Sequence, residues 1–306
     1  MAKIAFIVAT KDRPGELKRL LNSLANQTKP VDQVIIVDSS KSPQKEGLAE
    51  QSFRGLPIDY YYFQPPSTAR QRNFGLAKLA PEIDWVGFLD DDVVLEVTAV
   101  EEMERAIYSL ARDEVAGMGF NLINHPPLEF RTLKHLPLVE RLGLYSQRRG
   151  RVLSSGFQTL IGTVTNNTAV EWLPSTAAVW RKKIIANHCF DEFFSGYGYL
   201  EDLDFSYSLG KKYKLMIIAR AKYYHFPAES GRGKPFVFGV REVINRVYFV
   251  QKHKELSLWR CYLGLIMRGK MSLWLALSQA RPEFFIRAVG NLWGVFLSLK
   301  LIFSGE

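Results

Sequence analysis

The first forty residues constrain this chain more than any other stretch. Lys3 to Ala9 (KIAFIVA) is a nearly continuous apolar run, the pattern of a strand buried on both faces. Thr10-Lys11-Asp12-Arg13-Pro14-Gly15 interrupts it, and Pro14 suits the first turn of a helix. Leu17, Leu20, Leu21 and Leu24 then recur at helical spacing. Gln27 to Pro30 ends that helix, and Val34-Ile35-Ile36-Val37 is a second apolar strand closing on Asp38-Ser39-Ser40. Strand, helix and strand in so short a span predict parallel neighbours joined by a right-handed crossover. In such sheets ligands sit beyond the carboxyl ends of the strands. Both polar clusters, Thr10 to Arg13 and Asp38 to Ser40, lie at such ends.

The α/β pattern continues. Ile58 to Phe63 reads as a third strand, and Pro65-Pro66-Ser67 stops it. Thr68 to Ala77 reads as a helix opening in which Arg70 and Asn73 share a face. At a helix N-terminus such groups form an anion site; two solvated arginines, Arg70 and Arg72, on a surface helix are the plainer reading. Trp85 to Leu89 is a further strand that runs directly into Asp90-Asp91-Asp92. Three adjacent carboxylates in an apolar run repel one another and are costly to desolvate. A hard divalent ion with its phosphate ligand would relieve them, and so would a solvated acidic turn. Strand alternation points Asp90 and Asp92 one way and Asp91 the other, which ranks Asp91 lower as a ligand; a turn there would cancel that argument. Glu101 to Leu110 reads as a helix and Val115 to Leu122 as a strand. Val170 to Arg181 fits strand, small-residue turn and strand, and Leu215 to Ala219 is one more strand. Glu201, Asp202 and Asp204 open a helix, where the dipole favours acids.

Five segments together resemble the inverting family-2 glycosyltransferases of the GT-A fold. They are Ile7 to Pro14, Val37 to Ser40, Ala69 to Leu76, Phe88 to Asp92, and Phe190-Asp191-Glu192 running to Gly198-Tyr199-Leu200-Glu201-Asp202-Leu203-Asp204-Phe205. Each is weak alone; the order and rough spacing carry the resemblance, which covers about residues 3–250. It implies a Rossmann-like, mostly parallel mixed sheet flanked by helices, with Mn²⁺ or Mg²⁺ as cofactor and a nucleotide-diphosphate sugar as donor. By that resemblance Thr10, Asp12, Arg13, Asp38, Arg70, Asn73, Asp90 and Asp91 would bind the nucleotide sugar. Asp90 and Asp92, with His225, would hold the metal. Asp202 would be the general base, with Glu201 second. A base removing the acceptor hydroxyl's proton as it attacks is worth roughly 10²–10⁴-fold in rate. Lys11 departs from the family, which often has an aromatic residue there, and Ser175-Thr176-Ala177 stands where the family commonly has glycine.

The chain is 306 residues with 47% apolar and 23% charged residues, a globular composition. Two cysteines, Cys189 and Cys261, lack metal or redox spacing, which fits a reducing compartment. MAKIAFIVAT has neither the apolar core nor the cleavage site of a signal peptide. The net charge is +9, yet residues 206–306 hold 17 Lys and Arg against 5 acids, or +12, which leaves the first 205 at −3. A basic tail without a nucleic-acid module points to an anionic membrane face. In residues 256–304 the longest uncharged run, Ala288 to Leu299, is 12 residues, short of the roughly 20 a spanning helix needs. Trp259, Trp274 and Trp293 beside cations suit helices lying at a membrane surface; a helical cap is the alternative. The expected organisation is therefore a catalytic domain over 1–250 and a helical, basic and apolar C-terminal extension over 251–306. An arginine-bearing insertion over about 125–160 would face an anionic acceptor. A glycine-rich basic loop at 230–234 would close over the diphosphate, and Arg241 and Arg246 would offset leaving-group charge. The expected function is metal-dependent transfer of a sugar to a hydroxyl of a lipid-linked or cell-surface glycan. The protein would work in the cytoplasm, peripherally on the inner membrane face. Sugar-phosphate nucleotidyl transfer is the rival reaction, though Thr10 to Gly15 is not a glycine-rich phosphate loop; a non-catalytic scaffold is the third reading.

Overall fold

The computed structural model describes residues 2–43, 53, 55–110, 114–125, 137–194, 196, 198–227 and 234–304. The chain divides into two compact units, one of residues 1–128 with 161–228 and the other of 129–160 with 229–306.

The first unit is built on a nine-stranded sheet: β1 (Ile4–Thr10), β2 (Gln33–Asp38), β3 (Ile58–Tyr62), β4 (Trp85–Asp90), β5 (Val93–Leu95), β6 (Val115–Leu122), β7 (Thr168–Val170), β8 (Ala177–Arg181) and β9 (Lys214–His225). The spatial order is β3-β2-β1-β4-β8-β6-β9-β5, with β7 on β9. The first four are parallel, as the strand–helix–strand pattern predicts, and β8 runs antiparallel between β4 and β6. Of the two strands expected within 170–181, the second forms as β8, which joins β4; the first does not, because β7 ends at Val170, where it joins β9, and residues 171–176 are not strand. Register brings the chemistry to one edge. Thr10 lies opposite Asp38, and Ala9 opposite both Val37 and Asp90.

Alternation along β1 builds two cores. Ile4, Phe6 and Val8 pack with the leucines of α1 (Pro14–Ala25) and with Val100, Met103 and Ile107 of α3 (Ala99–Leu110). Ile7 faces α2 (Thr68–Leu76), and a Cβ on Gly75 would meet its side chain at 2.5 Å, so glycine lets this helix lie close to the strand. Two short helices, α4 (Pro137–Arg141) of the second unit and α5 (Lys182–Ile185) of the first, come next along the chain, and under α6 (Glu201–Gly210) an aromatic stack fills the space. Phe190 and Phe205 stack at 4.2 Å, and Phe88 and Trp180 present edges to Phe205 at 5.9 and 5.1 Å. Offset and edge-on pairs like these fix the height of the helix start above the sheet.

In the second unit α7 (Pro235–Lys252), α8 (Leu258–Ser278) and α9 (Pro282–Ser304) pack together. The helix 235–252 groups with this unit, where its main partner is α9. Buried Glu242 accepts from Arg268 at 2.6 Å and from Arg287 at 2.6 and 2.8 Å, which ties all three helices and holds its carboxyl down at about 2. Arg246 is buried, donates to the Gly156 carbonyl and to Gln158 Oε1 at 2.5 and 2.8 Å, and stacks on Phe157. It clamps the 156–158 turn. Of the stretch 125–160, residues 126–136 lie outside the described residues, as do 230–233 of the glycine-rich loop.

Candidate active site

The site is assembled where β1, β2 and β4 end. After β1 the chain turns sharply: Asp12 takes φ 55°, its N–H donates to Ser40 Oγ at 2.7 Å, and its carboxylate accepts the Lys41 N–H at 2.9 Å. The loops after β1 and β2 are thereby interlocked. Asp38 is fully buried between them, accepting from the Ser40 N–H at 2.7 Å and the Tyr60 hydroxyl at 2.6 Å. Gln71 crosses beneath, donating to the carbonyls of Thr10 and Val37 at 3.1 and 2.7 Å.

The three aspartates do not alternate. β4 stops at Asp90, and Asp91 and Asp92 form the turn into β5. The alternation expected for Asp90 to Asp92 therefore gives way, and Asp91 is as central as its neighbours. Asp91 accepts from Thr10 Oγ1 at 2.7 Å and from Arg13 Nη1 at 3.0 Å, and the same guanidinium reaches Asp92 at 3.6 Å. Burial pushes the Asp91 carboxyl up to about 6 against the pull of Arg13. Asp92 Oδ1 lies 3.1 Å from His225 Nε2. Asn124 holds His225 by both backbone groups, donating to its carbonyl at 2.8 Å and accepting from its N–H at 2.9 Å. His125 stands beside it with ring centroids 5.7 Å apart.

Asp90 is turned to a different partner. Arg72 of α2 is buried and donates to Asp90 Oδ1 at 2.8 Å and to Glu201 Oε1 at 2.5 Å. Its guanidinium lies 5.3 Å from the Phe190 ring centroid. One cation thus joins the acidic end of β4 to the first turn of α6. Glu201 is buried, and desolvation lifts its carboxyl well above the usual range despite Arg72. Its Oε2 is buried with no hydrogen-bond partner among the described residues. Gly198, at φ +68°, abuts this carboxylate; a Cβ there would overlap it. Asp202 is only part-buried, and one of its oxygens accepts the Leu203 N–H at 2.7 Å. Burial raises its pKa, with Arg72 opposing.

Arg70 and Asn73, expected on one anion-binding face, both engage the 190–192 segment. Arg70 Nε lies 3.3 Å from Glu192, and Asn73 exchanges two hydrogen bonds with the Phe190 backbone at 2.9 and 2.8 Å. Sequence reasoning missed Arg72, Gln71 and Asn124. The only signal for Arg72 is its place one turn from Ala69 and Gly75, small residues that mark a buried face.

Among the described residues, no three His, Cys, Asp or Glu side chains gather as a metal site. Asp92 and His225 nevertheless present a carboxylate oxygen and an imidazole nitrogen to one point, a donor set that Mn²⁺ accepts when phosphate oxygens and water complete its shell.

Several known proteins share this architecture. The chain superposes on TarS 1–349 of S. aureus with a TM-score of 0.55 at 14% identity, covering 99% of this chain and 92% of that one. The mannosyltransferase PcManGT of Pyrobaculum calidifontis, in complex with GDP-Man and Mn²⁺, gives 0.54 at 14% identity, covering 95% and 87%. Both have the GT-A arrangement, which this chain shares. An uncharacterized glycosyltransferase of Haemophilus influenzae is 30% identical over 152 residues, 46% of this chain, and the match spans about half (50%) of the relative's length. Residues 5–164, just over half of the sequence, match the family described as glycosyl transferase family 2, and the chain belongs to that family.

Proposed function

We propose that the protein transfers a sugar, with inversion, from a nucleotide-diphosphate donor to a hydroxyl of a lipid-linked or cell-surface glycan. The carrying observation is the Asp90–Arg72–Glu201 bridge, which brings the carboxylates after β4 beside the helix start bearing Asp202. Thr10, Asp12 and Asp38 hold the nucleoside in this reading, and Arg13 meets charge on the phosphates. Asp92 and His225 would hold Mn²⁺ or Mg²⁺, which when bound supplies Lewis-acid stabilisation of the departing diphosphate. Asp202 takes the acceptor proton: it is less buried than Glu201, and desolvation raises its pKa toward the working pH. Glu201 is the counter-charge that keeps Arg72 in place. The protein named with GDP-Man and Mn²⁺ is consistent with this donor class.

The test is a panel of UDP-, GDP- and dTDP-sugars screened by thermal shift with and without Mn²⁺, since a ligand that binds only the folded state raises its apparent stability. The stabilising donor is then assayed for transfer. Asp202→Asn is expected to cut transfer by roughly 10²–10⁴-fold while the donor still stabilises it. Full transfer by that variant sinks the base assignment. Pyrophosphate release from a nucleoside triphosphate and a sugar phosphate would favour the nucleotidyl-transfer reading instead.

A further inference from the structure

The two C-terminal helices are packed inside out. On α9 the small and polar residues face inward: Ala288, Gly290, Asn291, Gly294 and Ser298 are all buried. A Cβ on Gly290 would run into the Phe236 backbone, and one on Gly294 would meet Val243 at 2.9 Å, so glycine allows α7 and α9 to touch almost backbone to backbone. The large apolar side chains are left outside. Phe285, Val289, Leu292, Phe296 and Leu299, spaced by four, three, four and three, form one exposed stripe, with Leu292 68% accessible. On α8, Trp259, Ile266, Leu273 and Leu277 form another, and Leu277 is 86% accessible. Exposed apolar surface of this extent on a soluble face marks an interaction site.

Charge selects the occupant. Residues 258–304 carry six Lys and Arg and a single acid, Glu283. Glu242 pairs with both Arg268 and Arg287, and Glu283 pairs with Arg281, while Arg260, Lys270 and Lys300 add further positive charge to this hairpin. Lys270 falls within the α8 stripe by helical spacing, one turn from Ile266, and Lys300 lies one turn beyond Phe296. Exposed Trp259, Trp274 and Trp293 add amphipathic rings that settle at headgroup depth. Among the described residues no helix is long and apolar enough to cross a membrane. We infer that the outward face of α8 and α9 lies on an anionic lipid bilayer, with the stripes Trp259–Leu277 and Phe285–Leu299 entering the headgroup–acyl boundary and Lys270 and Lys300 meeting lipid phosphates. A second protein copy would not require the cationic bias.

This inference is independent of the catalytic reading, and its experiment is separate. The full chain is floated with vesicles of phosphatidylcholine alone and of phosphatidylcholine with phosphatidylglycerol. Flotation is expected with the anionic vesicles, weakening at high salt as charge is screened. Leu292→Glu with Phe296→Glu, both at exposed positions, is expected to lower partitioning by roughly tenfold or more while circular dichroism and melting stay unchanged. Lys270→Glu is expected to reduce binding to the anionic vesicles. Folded protein that stays at the bottom of the gradient overturns the inference, as does flotation untouched by the double substitution. So does a dimer in sedimentation velocity that the double substitution breaks, because the same face would then be a protein interface.

Discussion

Replacing Arg72 with methionine tests the site at its joint. The guanidinium is buried and bonds to Asp90 and Glu201 at 2.8 and 2.5 Å, so solvent screening does not discount it. Methionine keeps much of the volume but strands Glu201, buried at 5% accessibility, without its counter-charge. Breaking a buried pair by removing one partner costs about 3–5 kcal/mol, which for a unit of this size lowers Tm by roughly 10 °C. The deficit has a direction in pH. The Glu201 carboxyl already sits well above its ordinary value in the fold, and loss of Arg72 raises it further. A group with a raised folded pKa favours the fold below its unfolded value, and that contribution is lost as pH rises through the folded one. Arg72→Met is therefore expected to be closest to the parent near pH 5 and furthest from it near pH 8. The acid limb of kcat/KM should also move up, because Arg72 holds Asp202 down as well. Adding Glu201→Gln removes the stranded charge and should restore at least half of the lost Tm, a coupling read from the double-mutant cycle. Thermal melts from pH 5 to 8 and a pH–rate profile are the assays. A pH-independent loss below about 1 kcal/mol, the ordinary range for an exposed pair, would refute the bridge.

Other outcomes follow from the same geometry. Gly198→Ala should lower stability by about 1–3 kcal/mol in thermal melts, since φ +68° disfavours a side chain and the new Cβ overlaps the Glu201 carboxylate. His225→Ala should abolish the rise in Tm that Mn²⁺ with a nucleoside diphosphate produces; Asn124→Ala, which frees the His225 backbone, should reduce it in part. Asp91 titrates at about 6, so its contribution to the fold is full at low pH and fades as pH rises through that value. Asp91→Asn should accordingly gain stability relative to the parent between about pH 4 and 7 in denaturant titrations.

What could be read in advance divides along physical lines. The strands over 4–10, 33–38, 85–90 and 115–122 were legible because a buried parallel strand must be apolar throughout, and few other structures want that composition. Their shared edge followed from the connection rule, so Thr10, Asp38 and Asp90 could be grouped before any coordinates. Arg72 could not. α2 has no apolar stripe: its buried residues are Ala69, Gln71, Arg72 and Gly75, so periodicity gave no face, and an arginine without a visible partner reads as solvated. Its partners are 18 and 129 residues away in sequence. Asp91 was demoted because alternation was applied across a strand end, where a two-residue turn resets the side-chain directions. In the C-terminal helices the apolar residues were visible, but their orientation was not. Hydrophobic spacing alone fits the inward stripe of a helical cap as well as the membrane-surface helices expected here, and the glycines at 239, 290 and 294, each pressed against a neighbouring helix, are what turn the stripe outward. A helix whose small residues form its packed face has its large ones left for another solvent. That inversion can be checked by substitution alone: Gly294→Leu should disrupt the α7–α9 contact and lower Tm, whereas Leu292→Gly should cost no more than the roughly 1 kcal/mol of helix propensity. If the two costs were reversed, α9 would pack through its apolar stripe and the outward face would be the wrong one.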